Sequence, residues 1–350
     1  MPVIRVTMVA TVGQIPERHT RHVDYSMKTL GTEQKNSAYF HPVTEEQAGQ
    51  RLDNFLTRLL KSVPKTHVYR LIRTGAVRVN KGRKKPDYKL QAADAVRIPP
   101  VHTTTEKTKP VHLYQNVGQS LLDTILYEDD YLLIINKPAG LAVHGGSGIQ
   151  VGVIEALRQS HPRGEHLELV HRLDRETSGC LMIAKRRAAL RGLHEQLRTG
   201  HNIQKKYRCL VQGQWPGAHT LEYPLLKNTL QSGERIVRVD AEGQAAKTRF
   251  NLLKTYPGAS LMEAQPITGR THQIRVHAAH AKHPIAGDEK YGSPEFNKYM
   301  RKQGLSRLFL HAHELQLTLP YNNGKKLRVI APLDSTLTKF LKSITPEESV

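Results

Sequence analysis

The chain has 350 residues, 38% apolar and 24% charged, enough to bury a large core and too ordinary a balance for wholesale disorder. Its 52 Lys and Arg against 31 Asp and Glu leave a net charge of +21, which suits a polyanionic partner because each neutralised phosphate releases condensed counterions. Two cysteines without a C-x-x-C pair argue against a disulfide framework or a thiolate zinc site, no apolar run reaches the roughly 20 residues that span a bilayer, and no secretory leader opens the chain. A reduced, cytoplasmic setting follows as the expectation, with no membrane and no obligate protein partner.

Residues 1–46 show no sustained periodicity and are expected to be a flexible extension, in which Met27 is a second possible start. A compact unit is expected over residues 47–100. Leu52, Phe55, Leu56, Leu59 and Leu60 fall at i, i+3, i+4, i+7 and i+8, the apolar stripe of a helix. Ser62 and Pro64 open a second helix, which carries Tyr69, Leu71 and Ile72 and ends at Gly75. Val77 and Val79 alternate with Arg78 and Asn80 as a short strand, Lys81-Gly82 forms a turn, and Ala95–Ile98 forms another strand. Lys65, Arg70, Arg73, Arg78, Lys81, Arg83, Lys84, Lys85 and Lys89 crowd around the second helix and the hairpin, a basic face suited to RNA. The run R-L-D-N-F-L followed by P-K-T-H-V-Y-R-L-I-R-T-G-A-V-R-V-N resembles the S4-like RNA-binding domain.

Residues 101–118 are polar and without pattern and are read as a linker. Over residues 119–340 strands dominate: Leu132–Asn136, Cys180–Ala184, Tyr207–Val211, Arg235–Val239, Lys247–Leu253 and Leu315–Leu319. Helical spacing appears at Val153–Gln159, Arg187–Leu197 and Gln273–Ala281, and residues 341–350 read as a tail. Strands in runs with flanking helices predict an α+β fold with a mainly antiparallel mixed sheet.

Two polar clusters carry chemistry. In His171-Arg172-Leu173-Asp174-Arg175, an acidic residue stands between arginines just ahead of a core strand. Such an Asp is either a turn former or a carboxylate held ionised by neighbouring cations, the state a nucleophile needs. Gly269-Arg270-Thr271-His272-Gln273-Ile274-Arg275-Val276-His277 is the second, and its Arg270 and Arg275 offer planar donors for a carboxylate or a phosphate. His277, His280 and His283 lack the carboxylate or H-E-x-x-H partner of a metal site, so they satisfy backbone groups or face phosphate. No metal and no cofactor is expected. Tyr207, after Lys205 and Lys206, is a core aromatic or a platform for an extruded base. Asn136-Lys137-Pro138-Ala139-Gly140 is a rigid turn whose Lys137 could reach an RNA backbone, and Gly145-Gly146-Ser147-Gly148 lacks P-loop spacing.

Taken in order, N-K-P-A-G, H-R-L-D-R-E-T-S-G, K-K-Y, P-I-T-G-R-T-H-Q-I-R-V-H and R-L-F-L-H-A resemble the RluA family of pseudouridine synthases. The resemblance implies the pseudouridine synthase fold and, with the S4-like unit ahead of it, a substrate in large-subunit (23S) ribosomal RNA or its precursor particle. It implies Asp174 as the nucleophile, Arg275 as its ion-pair partner, Tyr207 stacked on the uracil and Arg172 in the space left by the flipped nucleotide. His171, Arg270, Lys205 and Lys137 would contact substrate. Two other readings use fewer of these features: a non-catalytic ribosome-assembly factor, resting on the S4-like unit and the charge, and a metal-dependent RNA hydrolase, resting on the histidines.

Overall fold

The structure, a computed structural model, describes residues 37–60, 63, 65–101, 111–145, 151–200, 202–229 and 235–344. Met27, Ser62, Pro64 and the Gly146-Ser147-Gly148 stretch lie outside the described residues. In the amino-terminal module, β1 (Tyr39–Pro42) is followed by α1 (Leu52–Leu59), α2 (Lys65–Thr74), β2 (Arg78–Val79) and β3 (Ala95–Ile98). The apolar stripe of α1 packs with Val68 and Ile72 of α2 onto Val79, Val96 and Ile98 of the sheet. That sheet runs β1-β3-β2 and is antiparallel throughout. β1 lies inside the stretch expected to be a flexible extension, because backbone pairing with β3 supplies order that its four residues do not show by periodicity.

The large domain continues with α3 (Val111–Leu122), β4 (Ile125–Glu128), β5 (Leu132–Lys137), α4 (Val153–Ser160), β6 (Glu168–Leu169), β7 (Ser178–Ala184), α5 (Arg187–Thr199) and β8 (Ile203–Gln212). Then come β9 (Ala218–Glu222), the hairpin β10 (Leu225–Thr229) and β11 (Arg235–Val239), β12 (Lys247–Tyr256), β13 (Ala259–Pro266) and α6 (Gln273–His280). The chain ends with α7 (Pro294–Lys302), β14 (Leu310–Thr318), β15 (Lys326–Ile330) and α8 (Ser335–Ser343). Part of the segment read as a linker is therefore the helix α3. Tyr114, Val117 and Leu121 face the main core from it. Gly118, which breaks the helical signal in sequence, lets α3 approach α4 so closely that a Cβ there would sit 2.5 Å from the Ala156 carbonyl oxygen. At the other end, order continues beyond residue 340, since Leu341 and Ile344 pack around α8.

The expected α+β class and mainly antiparallel sheet are what the chain forms. Ten strands make one sheet, ordered β4-β5-β7-β14-β8-β13-β12-β9, with β15 added to β14 and β6 to β7. Leu132–Ile135 of β5 and Leu181–Ile183 of β7 are wholly buried, which is why these strands read as continuous apolar runs. All ladders are antiparallel except the junction of β7 with β14, where Ser178 opposes His311 and Gly179 opposes Ala312. The loop before that junction carries Asp174.

Candidate active site

The Asp174 loop is fastened from both sides. On one side Val170 N–H donates to the Met182 carbonyl and Met182 N–H donates to His171 Nε2 at 3.1 Å. Burial pushes His171 down to about 3, so it is neutral and committed to the sheet edge. On the other side the Arg175 carbonyl accepts the Gly140 N–H at 2.9 Å and the Lys137 ammonium at 3.1 Å. Lys137 is wholly buried and also donates to the carbonyls of Pro138 (2.7 Å) and Leu141 (2.9 Å). Burial pushes it down to about 7, while the three carbonyls favour the ammonium, whose three protons satisfy all of them. Lys137 and His171 thus shape the loop, and the expectation that Lys137 touches substrate does not fit its complete burial.

Leu173, buried beside Asp174, anchors the loop and leaves the Asp174 side chain 31% exposed. Asp174 Oδ2 accepts from Arg275 Nη1 at 3.2 Å. Arg275 reaches this position from α6, where its other two nitrogens donate to both oxygens of Asp288 at 2.8 Å. Burial opposes the charge on Arg275, but the bonds to Asp288 and the field of Asp174 outweigh it and raise its pKa. Asp288 is more deeply buried than Asp174. Burial pushes its pKa up, yet Arg275 and the N–H groups of Lys290 and Tyr291 win and hold it ionised.

A second approach to Asp174 comes from His272, which caps α6 in a left-handed conformation (φ 54°) and puts Nε2 3.8 Å from Oδ1. Its Nδ1 lies 2.7 Å from the Tyr291 hydroxyl, which already accepts the Val237 N–H at 3.0 Å. A hydroxyl that accepts there is free to give its proton to Nδ1, and this leaves the histidine proton on Nε2, toward the carboxylate. Burial lowers the pKa of His272, so the imidazole is neutral.

Tyr207 stands on β8 between two small neighbours, Ala312 of β14 and Ala264 of β13. It is 9% exposed, and burial together with the charge of Asp174 raises its hydroxyl pKa. Residues 131–280 match the RNA pseudouridylate synthase family, and residues 50–96 match the S4 domain. The ribosomal large subunit pseudouridine synthase C of Haemophilus ducreyi is 52% identical over 322 residues, 91% of this chain and 100% of its own length. The protein of the same name from Escherichia coli is 52% identical over 305 residues, 86% of this chain and 95% of its own. Among solved structures, human RNA pseudouridylate synthase domain containing 4 is similar with a TM-score of 0.55 and 28% identity, covering 67% of this chain and 97% of that one. The chain belongs to the RNA pseudouridylate synthase family.

Within this synthase, Lys205 lies on the same strand face as Tyr207, half-buried and beside Gly269, and burial lowers its pKa. Arg172 is exposed, and Arg270 is exposed with its Nε on the Ala245 carbonyl at 3.1 Å. Of the histidines weighed as metal ligands, His277 and His283 are held by hydrogen bonds, and His280 is exposed with its ring edge-on to Tyr223. Gln273 donates to Thr248 Oγ1, the Thr248 hydroxyl donates to His277 Nδ1 at 2.9 Å, and His277 Nε2 donates to the Tyr223 carbonyl at 3.0 Å. His283 Nδ1 bonds the Gln212 carbonyl. Among the described residues no group of three His, Cys, Asp or Glu side chains could hold a metal ion.

A further network lies behind the β7–β14 junction. The Ala331 carbonyl can only accept, so His311 Nε2 donates to it at 3.0 Å, and Nδ1 accepts from the Ser178 hydroxyl at 2.8 Å. Ser178 in turn accepts from Arg307 Nη2 at 2.7 Å, and Arg307 pairs with Asp334 at the start of α8. In the S4 module, Arg70, Arg73, Lys81, Arg83, Lys84 and Lys85 are all exposed around α2 and the hairpin, while the side chain of Lys65 lies outside the described residues. Asp288, His272 and Tyr291 escaped the sequence reading. The one available signal was that His272 sits inside the same motif as Arg275.

Proposed function

We propose that this synthase isomerises specific uridines of large-subunit (23S) ribosomal RNA, or of its precursor particle, to pseudouridine in the cytoplasm. The observation that carries the reading is one half-open carboxylate, Asp174, held by a buried guanidinium that a second carboxylate clamps on both nitrogens. Such a carboxylate points one way and remains open to a ligand, two properties a nucleophile requires. Two relatives at 52% identity, whose names specify the large ribosomal subunit, support the choice of RNA.

In this reading Asp174 is the nucleophile that enables the N1–C1′ bond of uridine to break. The uracil stacks on Tyr207 while it turns, C5 bonds C1′, the C5 proton leaves and N1 gains one, so atoms and charge balance without a redox step. Arg275 holds Oδ2 of Asp174, and His272 faces Oδ1 with its Nε2 across 3.8 Å. Arg172, exposed at the neck of the loop, fills the space of the extruded nucleotide, whose unstacking costs a few kcal/mol. Lys205 and Arg270 meet the flanking phosphates, and the exposed cations of the S4 module bind neighbouring RNA.

The test is pseudouridine mapping on 23S transcripts and on precursor particles, with wild type and Asp174→Asn. Site-specific pseudouridine is expected from wild type, with the variant slower by about 10⁴-fold or more and still able to bind RNA. Tight binding without pseudouridine on either substrate would reject the reading in favour of an assembly factor.

A further inference from the structure

The outer face of the amino-terminal sheet carries a row of side chains that neither the module's core nor the catalytic cleft uses. Strand alternation turns Val79, Val96 and Ile98 inward and puts Phe40, Arg97 and Arg78 on the other face. Register then sets these three side by side, Phe40 opposite Arg97 and Arg97 opposite Arg78. Phe40 is 58% exposed, the most exposed large apolar side chain among the described residues. Asn80 (φ 49°) and Lys81 (φ 65°) form the left-handed two-residue turn of a tight hairpin, which holds Lys81 at the end of the row. Phe40, Gly75, Arg78, Lys81 and Arg97 together line an open depression of about 360 Å³.

The two arginines are fixed but not neutralised. Arg78 Nε donates to the Gly75 carbonyl at 3.2 Å and Arg97 Nη1 to the Ala76 carbonyl at 2.8 Å. Among the described residues no carboxylate pairs with Arg78, Lys81 or Arg97. A single bare ring is too small a patch for a protein interface, whereas one ring ringed by three cations matches a base with phosphates beside it. We propose that this sheet face binds a nucleotide of single-stranded RNA, with the base stacked on Phe40 and its phosphates on Arg78, Lys81 and Arg97. Of the basic residues clustered on this module in the sequence, Arg78 and Lys81 belong to this site, and Phe40 and Arg97 extend it onto a sheet face apart from α2. The inference rests on RNA being the substrate, not on the role of Asp174.

The full chain is titrated against a fluorescently labelled single-stranded RNA of about ten nucleotides, within the range that one small stacking module covers. Phe40→Ala is expected to weaken binding roughly tenfold and Phe40→Tyr to leave it unchanged. Arg97→Gln is expected to lower the dependence of log K on log salt by about 0.7, the share of one phosphate on a single strand. Folding of each variant is checked by its thermal midpoint and its circular dichroism. A folded Phe40→Ala protein that binds the oligonucleotide as wild type does overturns the proposal. So does unchanged oligonucleotide affinity with weakened binding to protein-containing particles, which would assign the face to a protein partner. Weakened binding by Phe40→Ala in a wild-type protein that makes no pseudouridine would uphold the RNA site while rejecting the reaction.

Discussion

At the scale of single residues, the site is organised by the buried carboxylate rather than the exposed one. Asp288 spends both oxygens on Arg275, so the guanidinium arrives at Asp174 already oriented. Asp288→Asn leaves Arg275 buried with half its compensation, and a loss of about 3–5 kcal/mol in urea unfolding is expected, with slower pseudouridine formation. His272→Gln removes the contact to Asp174 Oδ1 without emptying the site. Turnover is expected to fall about tenfold at unchanged KM, and Tyr291→Phe, which lets the imidazole choose its tautomer, to give part of that loss. Single-turnover assays on 23S transcripts separate the two. The contact of Asp174 with Arg275 was legible because each residue sits in a short dense motif. Asp288 was not, since Ala286-Gly287-Asp288 has the composition of any turn and acquires meaning only when α6 folds back over it. Lys137 misled for a related reason: a lysine beside a Pro turn reads as solvent-facing, and only the three converging carbonyls turn it inward.

At the scale of elements, the parallel contact of β7 with β14 determines where the loop lies. Gly179 adopts φ 109°, and a Cβ there would meet the Ala312 carbonyl oxygen at 2.3 Å. Gly179→Ala is therefore expected to cost about 3 kcal/mol by overpacking and backbone strain, read as a lower urea midpoint, and to reduce activity through the displaced Asp174 loop. Elements with their own periodicity, such as α1, were legible from sequence. β1 and α3 were not, because their order comes from partners distant in the chain. In α3 the helix-weakening Gly118 is the residue that permits contact with α4. β8 also began earlier than its apolar run suggested, since Lys205 and Lys206 lie within the strand, the latter 3.6 Å from Glu263.

At the scale of the whole molecule, acid sensitivity follows from histidines buried in neutral form. Burial pushes His171 down to about 3 and His311 to about 4, against an ordinary value of 6.5. The unfolded chain binds more protons between those values, so this stability is complete above pH 6.5 and is lost as pH falls toward 4. Each group contributes at most about 1.4 kcal/mol per pH unit within its window. Urea unfolding of wild type between pH 7 and 4.5 should show the decline, and His311→Asn should flatten it.

The Arg275 clamp has a consequence for what can enter. Two carboxylates share one guanidinium, so the Arg275 cluster itself is negative inside a protein whose overall charge is +21. The basic exterior gathers polyanions and the Arg275 cluster repels them, which makes the site a charge filter: the uncharged uracil is favoured beside Asp174 and its phosphodiesters are turned outward. Free uridine monophosphate, carrying a dianion with no strand to hold it at the rim, should therefore compete with the transcript more weakly than uncharged uridine does. The ordering of those two inhibition constants would measure the filter directly.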